Sequence, residues 1–202
     1  MKLVLISDTH GLHDDVDVPN DGDVLIHGGD ITRHGRLEEV EDFADWMGIR
    51  RQRHKIVIAG NHDRCLQEDN EAARQHLTTA TYLQDSGTTI DGLEFWGSPW
   101  TPQFFDWSFM LPRGEPLARK WAMIPESVDV LVTHGPPKGI LDTAHLGKET
   151  GCAALRERVF EIQPRLHVFG HIHEARGRVE RAGIQFVNAS CYGGKEPFVV
   201  EL

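Results

Sequence analysis

Cysteine is scarce in this chain. Three occur in 202 residues, Cys65, Cys152 and Cys191. They are too few and too far apart for a disulfide framework or a paired-cysteine zinc site, and they suit a reducing, cytoplasmic setting. Positive charge is short as well: 21 Lys and Arg stand against 31 Asp and Glu, a formal net charge of −10. That balance counts against a protein whose main task is gripping long nucleic acid. Long apolar runs are missing too. Leu3-Val4-Leu5-Ile6 is stopped by Ser7-Asp8, which is too short for a signal-peptide core. Nothing approaches the roughly 18 apolar residues of a membrane span. No repeat, low-complexity tract or linker divides the chain, so the expectation is one domain over 1–202, near the usual size of about 100–200 residues. Against these shortages stands an excess: 12 residues are histidine.

Short β-branched runs recur from end to end. Leu3–Ile6, Val24–Ile26, Ile56–Ala59, Val128–Val132 and Leu166–Phe169 read as strands buried on both faces. Tyr82–Leu83, Leu93–Trp96, Ile184–Val187 and Phe198–Val200 are further strand candidates. Leu37, Val40, Ala44 and Met47 have helical spacing, with Glu38, Glu39 and Asp42 on the other side. Weaker helical stretches run near Arg64–His76, Leu117–Met123 and Cys152–Ile162. Strands alternating with helices predict an α/β layered domain. Gly97–Pro116 carries four prolines together with Trp100, Phe104, Phe105, Trp107 and Phe109. Such proline density forbids a long helix. The expectation is a flap whose rings cover the sheet edge, ahead of a substrate lip.

The chemistry lies where the buried runs stop. The first leads to Asp8-Thr9-His10, and the second passes through His27-Gly28-Gly29 to Asp30. The third leads to Gly60-Asn61-His62-Asp63, the fourth to Thr133-His134, and the fifth to Gly170-His171-Ile172-His173. Ligands of layered α/β sheets bind beyond the carboxyl ends of the strands, so five such ends predict one site. Asp8 and His10, like His171 and His173, are two apart, which in extended backbone points both side chains the same way. Carboxylate, imidazole and amide oxygen together suit borderline divalent cations such as Mn²⁺, Fe²⁺ or Zn²⁺.

The series DTH (8–10), GGD (28–30), GNHD (60–63), TH (133–134) and GHIH (170–173) resembles the calcineurin-like metallophosphoesterase superfamily. KIVIAGNH (55–62), GSPWTPQF (97–104), LVTHGPPKG (131–139) and QPRLHVFGHIHE (163–174) resemble its small single-domain branch, the metallophosphoesterase-domain-containing proteins. Their motifs are similar to those of cyclic nucleotide phosphodiesterases. The resemblance implies a four-layer β-sandwich flanked by helices, with two divalent metal ions at its upper edge. It implies that Asp8, His10 and His173 hold the first metal, that Asn61, His134 and His171 hold the second, and that Asp30 bridges them. His62 would sit over the scissile phosphate.

Two such cations clamp a phosphoryl group and turn a water into hydroxide that attacks phosphorus in line. His62 is then the candidate for protonating the leaving oxygen, with Asp63 either orienting His62 or contributing nothing. The expected activity is hydrolysis of phosphodiesters, with small or cyclic nucleotides preferred and a small anionic phosphoester as partner. The alternatives are a nuclease on DNA or RNA ends, and a metal- or nucleotide-binding regulatory protein with residual activity. No membrane partner and no stable nucleic-acid complex are expected, and the oligomeric state is open. His27 and His167 read as core residues that orient ligands. His13, His34, His54, His76 and His145 read as surface or loop positions, with His13 and His34 the two that could line the cleft. Arg33 or Arg36 could reach a substrate phosphate, and Arg50–Lys55 reads as a solvated basic face.

Overall fold

The computed structural model describes residues 1–202. In chain order, β1 (Lys2–Ile6) and β2 (Val24–His27) precede α1 (Leu37–Gly48). Then come β3 (His54–Val57), α2 (Arg64–Glu68), α3 (Asn70–His76), β4 (Thr81–Tyr82), β5 (Ser86–Ile90) and β6 (Leu93–Ser98). The proline-rich segment holds only a two-residue pair, β7 (Thr101–Pro102) and β8 (Met110–Leu111), before α4 (Glu115–Trp121) begins. β9 (Val130–Thr133), a second small pair β10 (Thr143–Ala144) and β11 (Lys148–Glu149), and α5 (Ala153–Ile162) follow. β12 (Leu166–Phe169), β13 (Gly177–Arg181), β14 (Ile184–Asn188) and β15 (Phe198–Glu201) complete the chain.

Two sheets result. One has the order β15-β1-β2-β3-β4, parallel except for β15. The other has the order β13-β14-β12-β9-β6-β5, with four parallel strands inside and antiparallel strands at both edges. Strand periodicity explains how they stack. Leu3 and Leu5 of β1 face the second sheet, in a cluster with Val130, Val132, Leu166 and Val168. Val4 and Ile6 face the opposite way, onto Val40, Phe43 and Met47 of α1. On the far side Leu131, Phe169 and Phe186 meet Leu117 and Trp121 of α4 and Leu155 and Val159 of α5. The layers are therefore helix, sheet, sheet, helix. Because both faces of each sheet are covered, the central strands read as unbroken apolar runs.

Three local expectations need correction. The stretch Arg64–His76 is two helices broken at Asp69, not one. β5 and β13 stand where no apolar run marks a strand; both are edge strands with mostly exposed or half-buried residues. His13 is not a surface residue: it is buried, its ring packs at 5.6 Å from Phe43 and 5.2 Å from Trp46, and its Nε2 lies 3.3 Å from Asp42. Arg50 covers the Trp46 ring and Arg53 pairs with Asp91, so two cations of the basic run are engaged in local contacts. No helix is long and apolar enough to cross a membrane.

Candidate metal centre

The two sheets are joined at one edge. A parallel bridge pairs Ser7 with Ser190, and the Cys191 N–H donates to the Ser7 carbonyl at 2.7 Å. All five strand ends that carry the candidate ligands open onto this seam. Asp8, His10 and His173 form one group whose ligand atoms lie within 4.8 Å of one another, and Asp30, His134 and His171 form a second. Asn61 joins the second group, its Oδ1 2.9 Å from His134 Nε2.

Asp30 stands between the two groups. Its Oδ1 accepts the His62 N–H at 2.8 Å. Its Oδ2 is left 3.4 Å from His134 Nε2 and 3.7 Å from His10 Nε2, one oxygen facing both groups. Asp8 is fixed in a similar way, accepting the His171 N–H at 2.9 Å while its Oδ1 lies 3.4 Å from His173 Nε2.

The backbone is bent hard to achieve this. Asp8, His10, Asp30 and His171 have φ of 56, 47, 56 and 67°, a left-handed region costly for ordinary residues and concentrated at functional sites. Two glycines permit the close approach. A Cβ on Gly60 would stand 2.2 Å from Asp30 Oδ1, and one on Gly170 would stand 2.0 Å from Asp8 Oδ2.

The donor set fits a pair of divalent cations. His134 Nδ1 lies 2.9 Å from the Gly28 carbonyl; a carbonyl only accepts, so Nδ1 carries a proton and Nε2 is the atom that faces the cluster. His10 Nε2 and His173 Nε2 lie 3.3 Å apart with carboxylate oxygens beside them, an arrangement that a shared cation relieves. The set is nitrogen and oxygen with no thiolate, as borderline cations prefer. Burial pushes His171 down to about 4 and lowers His10 against the pull of Asp30, so both are neutral at pH 7, as metal ligands must be. Burial works against Asp8, yet its hydrogen bond to His173 holds it at about 2. Burial also works against His134 protonation, yet the Asp30 charge raises it to about 9, so a cation bound here would take the place of the Nε2 proton.

The profile of calcineurin-like phosphoesterases matches residues 1–175. The chain belongs to that family. It is 42% identical over 214 residues to metallophosphoesterase domain-containing protein 1 of Homo sapiens, covering 94% of this chain and 65% of that protein. It is also 42% identical over 212 residues to a UPF0046 protein of Caenorhabditis elegans, covering 97% and 72%. The chain thus spans a little under two-thirds of the human relative's length. Phosphopantetheinyl hydrolase of Mycobacterium tuberculosis superposes with a TM-score of 0.62 at 17% identity, over 94% of this chain and 88% of that one, a likeness of fold. The calcineurin-like phosphoesterase family implies divalent metal ions, and both clusters are able to hold them.

Around the two clusters, other expected residues fall into place differently. His62 stands at the open side, within 4.8 Å of His10 and Asp30 by its nearest ring nitrogen. Asp63 does not touch the His62 ring. Its carboxylate accepts from Gly60 N–H at 2.7 Å, Thr32 N–H at 2.9 Å and Thr32 Oγ1 at 2.8 Å. Asp63 therefore ties the Asn61 loop to the Asp30 loop. What orients His62 is Arg33, whose carbonyl lies 3.1 Å from His62 Nδ1. Glu39 in turn holds the Arg33 turn, accepting the backbone N–H of Arg33 at 2.9 Å and of Arg36 at 3.0 Å. His27 meets Thr9 Oγ1 at 3.0 Å and accepts the Gly29 N–H at 3.2 Å, and His167 meets Thr133 Oγ1 at 2.8 Å. Both rings thus brace the turns that carry ligands.

Sequence reasoning missed Tyr192. Its ring stacks on His173 at 4.4 Å and meets His10 edge-on at 5.5 Å. Only the chain's return along β14 brings it there, and no spacing near the ligand blocks signals it.

Proposed function

We propose that this centre, carried on one domain over 1–202, hydrolyses phosphodiesters, small or cyclic nucleotides foremost, with two divalent cations of which Mn²⁺ is the first choice. The observation that carries this reading is the placing of His62 and Arg33 between two cavities. One, of about 340 Å³, runs past Asn61, Arg64 and Trp107; the other, of about 310 Å³, runs past His10, His173 and Tyr192; Arg33 and His62 line both. A phosphoryl group held between them has room for an ester arm on each side, which a diester needs and a monoester does not. The three free thiols support a reducing, cytoplasmic compartment.

Two divalent cations, which Asp8, His10 and His173 and Asn61, His134 and His171 would hold with Asp30 between them, would polarise the phosphoryl oxygens and make a water acidic enough to attack near neutral pH. The chain's own groups supply the rest. Asp30, pinned by the His62 N–H, fixes the distance between the two ligand groups. His62 Nδ1 donates to the Arg33 carbonyl, so Nε2 is the atom that gives a proton to the departing oxygen as the P–O bond breaks. The Arg33 guanidinium makes no hydrogen bond or ion pair within the chain and is free to grip a non-bridging phosphoryl oxygen.

The assay follows directly. Strip the protein with chelator, restore Mn²⁺, and compare bis(p-nitrophenyl) phosphate, p-nitrophenyl phosphate, 2′,3′- and 3′,5′-cyclic nucleotides and single-stranded DNA. Diesters should lead. Absence of metal-dependent turnover on every ester would overturn the reading, and preference for DNA would turn it into a nuclease. His62→Ala should keep both cations yet slow esters of poor leaving groups by about 10²–10⁴-fold, with nitrophenyl esters far less affected. Equal losses on both would remove the acid role. Arg33→Ala should lower kcat/KM about tenfold to a hundredfold with most of the change in KM, measured on the same cyclic nucleotide.

A further inference from the structure

We propose that the cavity beside Trp107 is a nucleoside subsite: it takes the flat heterocycle attached to the departing alcohol, and Trp107 determines that specificity. This rests on the phosphoesterase reading of the neighbouring centre.

Trp107 is not a core residue. It is 45% exposed, with its ring 5.1 Å from that of His62. Phe105 lies 5.3 Å from Trp107, and Phe104 lies 4.3 Å from Phe105. The two phenylalanines are 55% and 63% exposed. An exposed aromatic ledge beside a polar site marks a place where a ligand or partner packs, and a second ring stacks well on it.

The ledge is held firmly. Phe109, two residues on, is fully buried, and its N–H donates to Gln67 Oε1. The Ser108 N–H donates to the carbonyl of Asn61 at 3.2 Å, so the residue next to Trp107 is tied to a candidate metal ligand. The indole therefore keeps its place relative to the reacting phosphorus. The flap expected from sequence is thus split: Trp100 and Phe109 pack inward against each other at 5.6 Å, while Phe104, Phe105 and Trp107 face outward.

The lining selects among ring ligands. Trp107 is the one apolar side chain in this cavity. Gln67 has its Oε1 engaged, which leaves its amide N–H₂ free, and Ser108 and Asp106 add a hydroxyl and a carboxylate. A ring with donors and acceptors along its edge satisfies these groups, whereas an alkyl arm leaves them unpaired. Arg64 is paired with Glu68 at 2.7 Å, and the nearby carboxylates repel a second phosphate. At about 340 Å³ the cavity lies at the low end of the roughly 300–1,000 Å³ typical of ligand pockets. That size suits one nucleoside.

In the step served, one water is consumed. Its oxygen bonds to phosphorus, the bond from phosphorus to the nucleoside oxygen breaks, and that oxygen receives the His62 Nε2 proton. The proton released by the water restores His62.

The test pairs two substrates with the same five-membered cyclic diester, one with a base and one without: 2′,3′-cyclic AMP and glycerol 1,2-cyclic phosphate. Trp107→Ala should lower the ratio of their kcat/KM values by about tenfold to a hundredfold, the loss expected for one base stacked on an aromatic ring. Trp107→Phe should keep most of the ratio. Titration calorimetry of adenosine into the Mn²⁺-loaded protein should show the same weakening in the alanine variant. An unchanged ratio with unchanged adenosine binding overturns the subsite while leaving the phosphoesterase reading intact. Absence of metal-dependent turnover on both diesters and on every ester of the earlier assay overturns the phosphoesterase reading, and adenosine binding then decides the subsite alone. Self-association that Trp107→Ala abolishes, with adenosine binding untouched, would make the ledge a protein contact and overturn the proposal.

Discussion

Asp30→Asn should reduce metal-dependent turnover by about a thousandfold or more and leave at most one tightly held cation per chain. The substitution is nearly isosteric. An asparagine Oδ1 still accepts the His62 N–H, so the loop that presents His62 stays in place. What goes is the charge on Oδ2, the oxygen that lies 3.4 Å from His134 Nε2 and 3.7 Å from His10 Nε2. The stability of the metal-free protein should change little, because the change has two opposed parts. Loss of a buried carboxylate is favourable, whereas His134, raised to about 9 chiefly by Asp30 against its burial, loses its partner. The metal-linked part of stability behaves otherwise. A cation at about a thousand times its Kd adds about 4 kcal/mol to a folded protein, and the variant should forfeit that increment at one site. Elemental analysis, with melting curves in the presence and absence of Mn²⁺, separates the two effects. Two retained cations with near-normal turnover would show that Oδ2 is not the shared ligand.

The ligand loops were legible in the sequence because each follows a buried strand and ends on a metal-capable side chain. Buried parallel strands leave an unmistakable apolar run, and the residue after the run must sit at the sheet edge. The edge strands β5 and β13 left no such trace, since a strand with one partner and one wet side has no need of continuous apolar residues. The same limit applies to His13. Its neighbours Asp14 and Asp15 are polar, and only the packing of α1 brings Phe43 and Trp46 over it. Asp63 shows a different limit. Adjacency to His62 suggested a shared task, yet the turn at Gly60–Asp63 points consecutive side chains apart, so one faces the cleft and the other collects backbone N–H groups behind it. The centre of the aromatic segment was split for the same reason: proline spacing excludes a helix but says nothing about which rings turn inward.

Acid should weaken the fold through two histidines that no proposed catalytic step uses. His27 and His167 are fully buried, and burial pushes both down to about 3. The unfolded value is about 6.5, so between pH 6.5 and 3 the unfolded chain binds more protons than the folded one. Stability therefore falls as pH drops through that window. From pH 7.5 to 5, each ring costs the fold about 2 kcal/mol by this linkage. The geometry says why neither can accept a second proton in place. His27 Nδ1 already accepts the Gly29 N–H, and protonation would expel that donor from the turn that offers the Gly28 carbonyl to His134. Thr133 Oγ1 donates to the Gly135 carbonyl at 2.8 Å, so His167 Nε2 must supply the proton between them. His167 Nδ1 is left buried without a partner, with nothing to receive a new N–H. Asp63 pulls the other way: burial, aided by Asp30, raises it to about 6, so it takes up a proton in the fold first and returns about 1 kcal/mol by pH 5. The clean measurement is thus a difference. Urea unfolding of the metal-free protein at pH 7.5 and 5 should show His167→Gln, whose amide can replace the Nε2–H, losing about 2 kcal/mol less than the parent. Equal losses in both proteins would mean that His167 is not the acid-sensitive group.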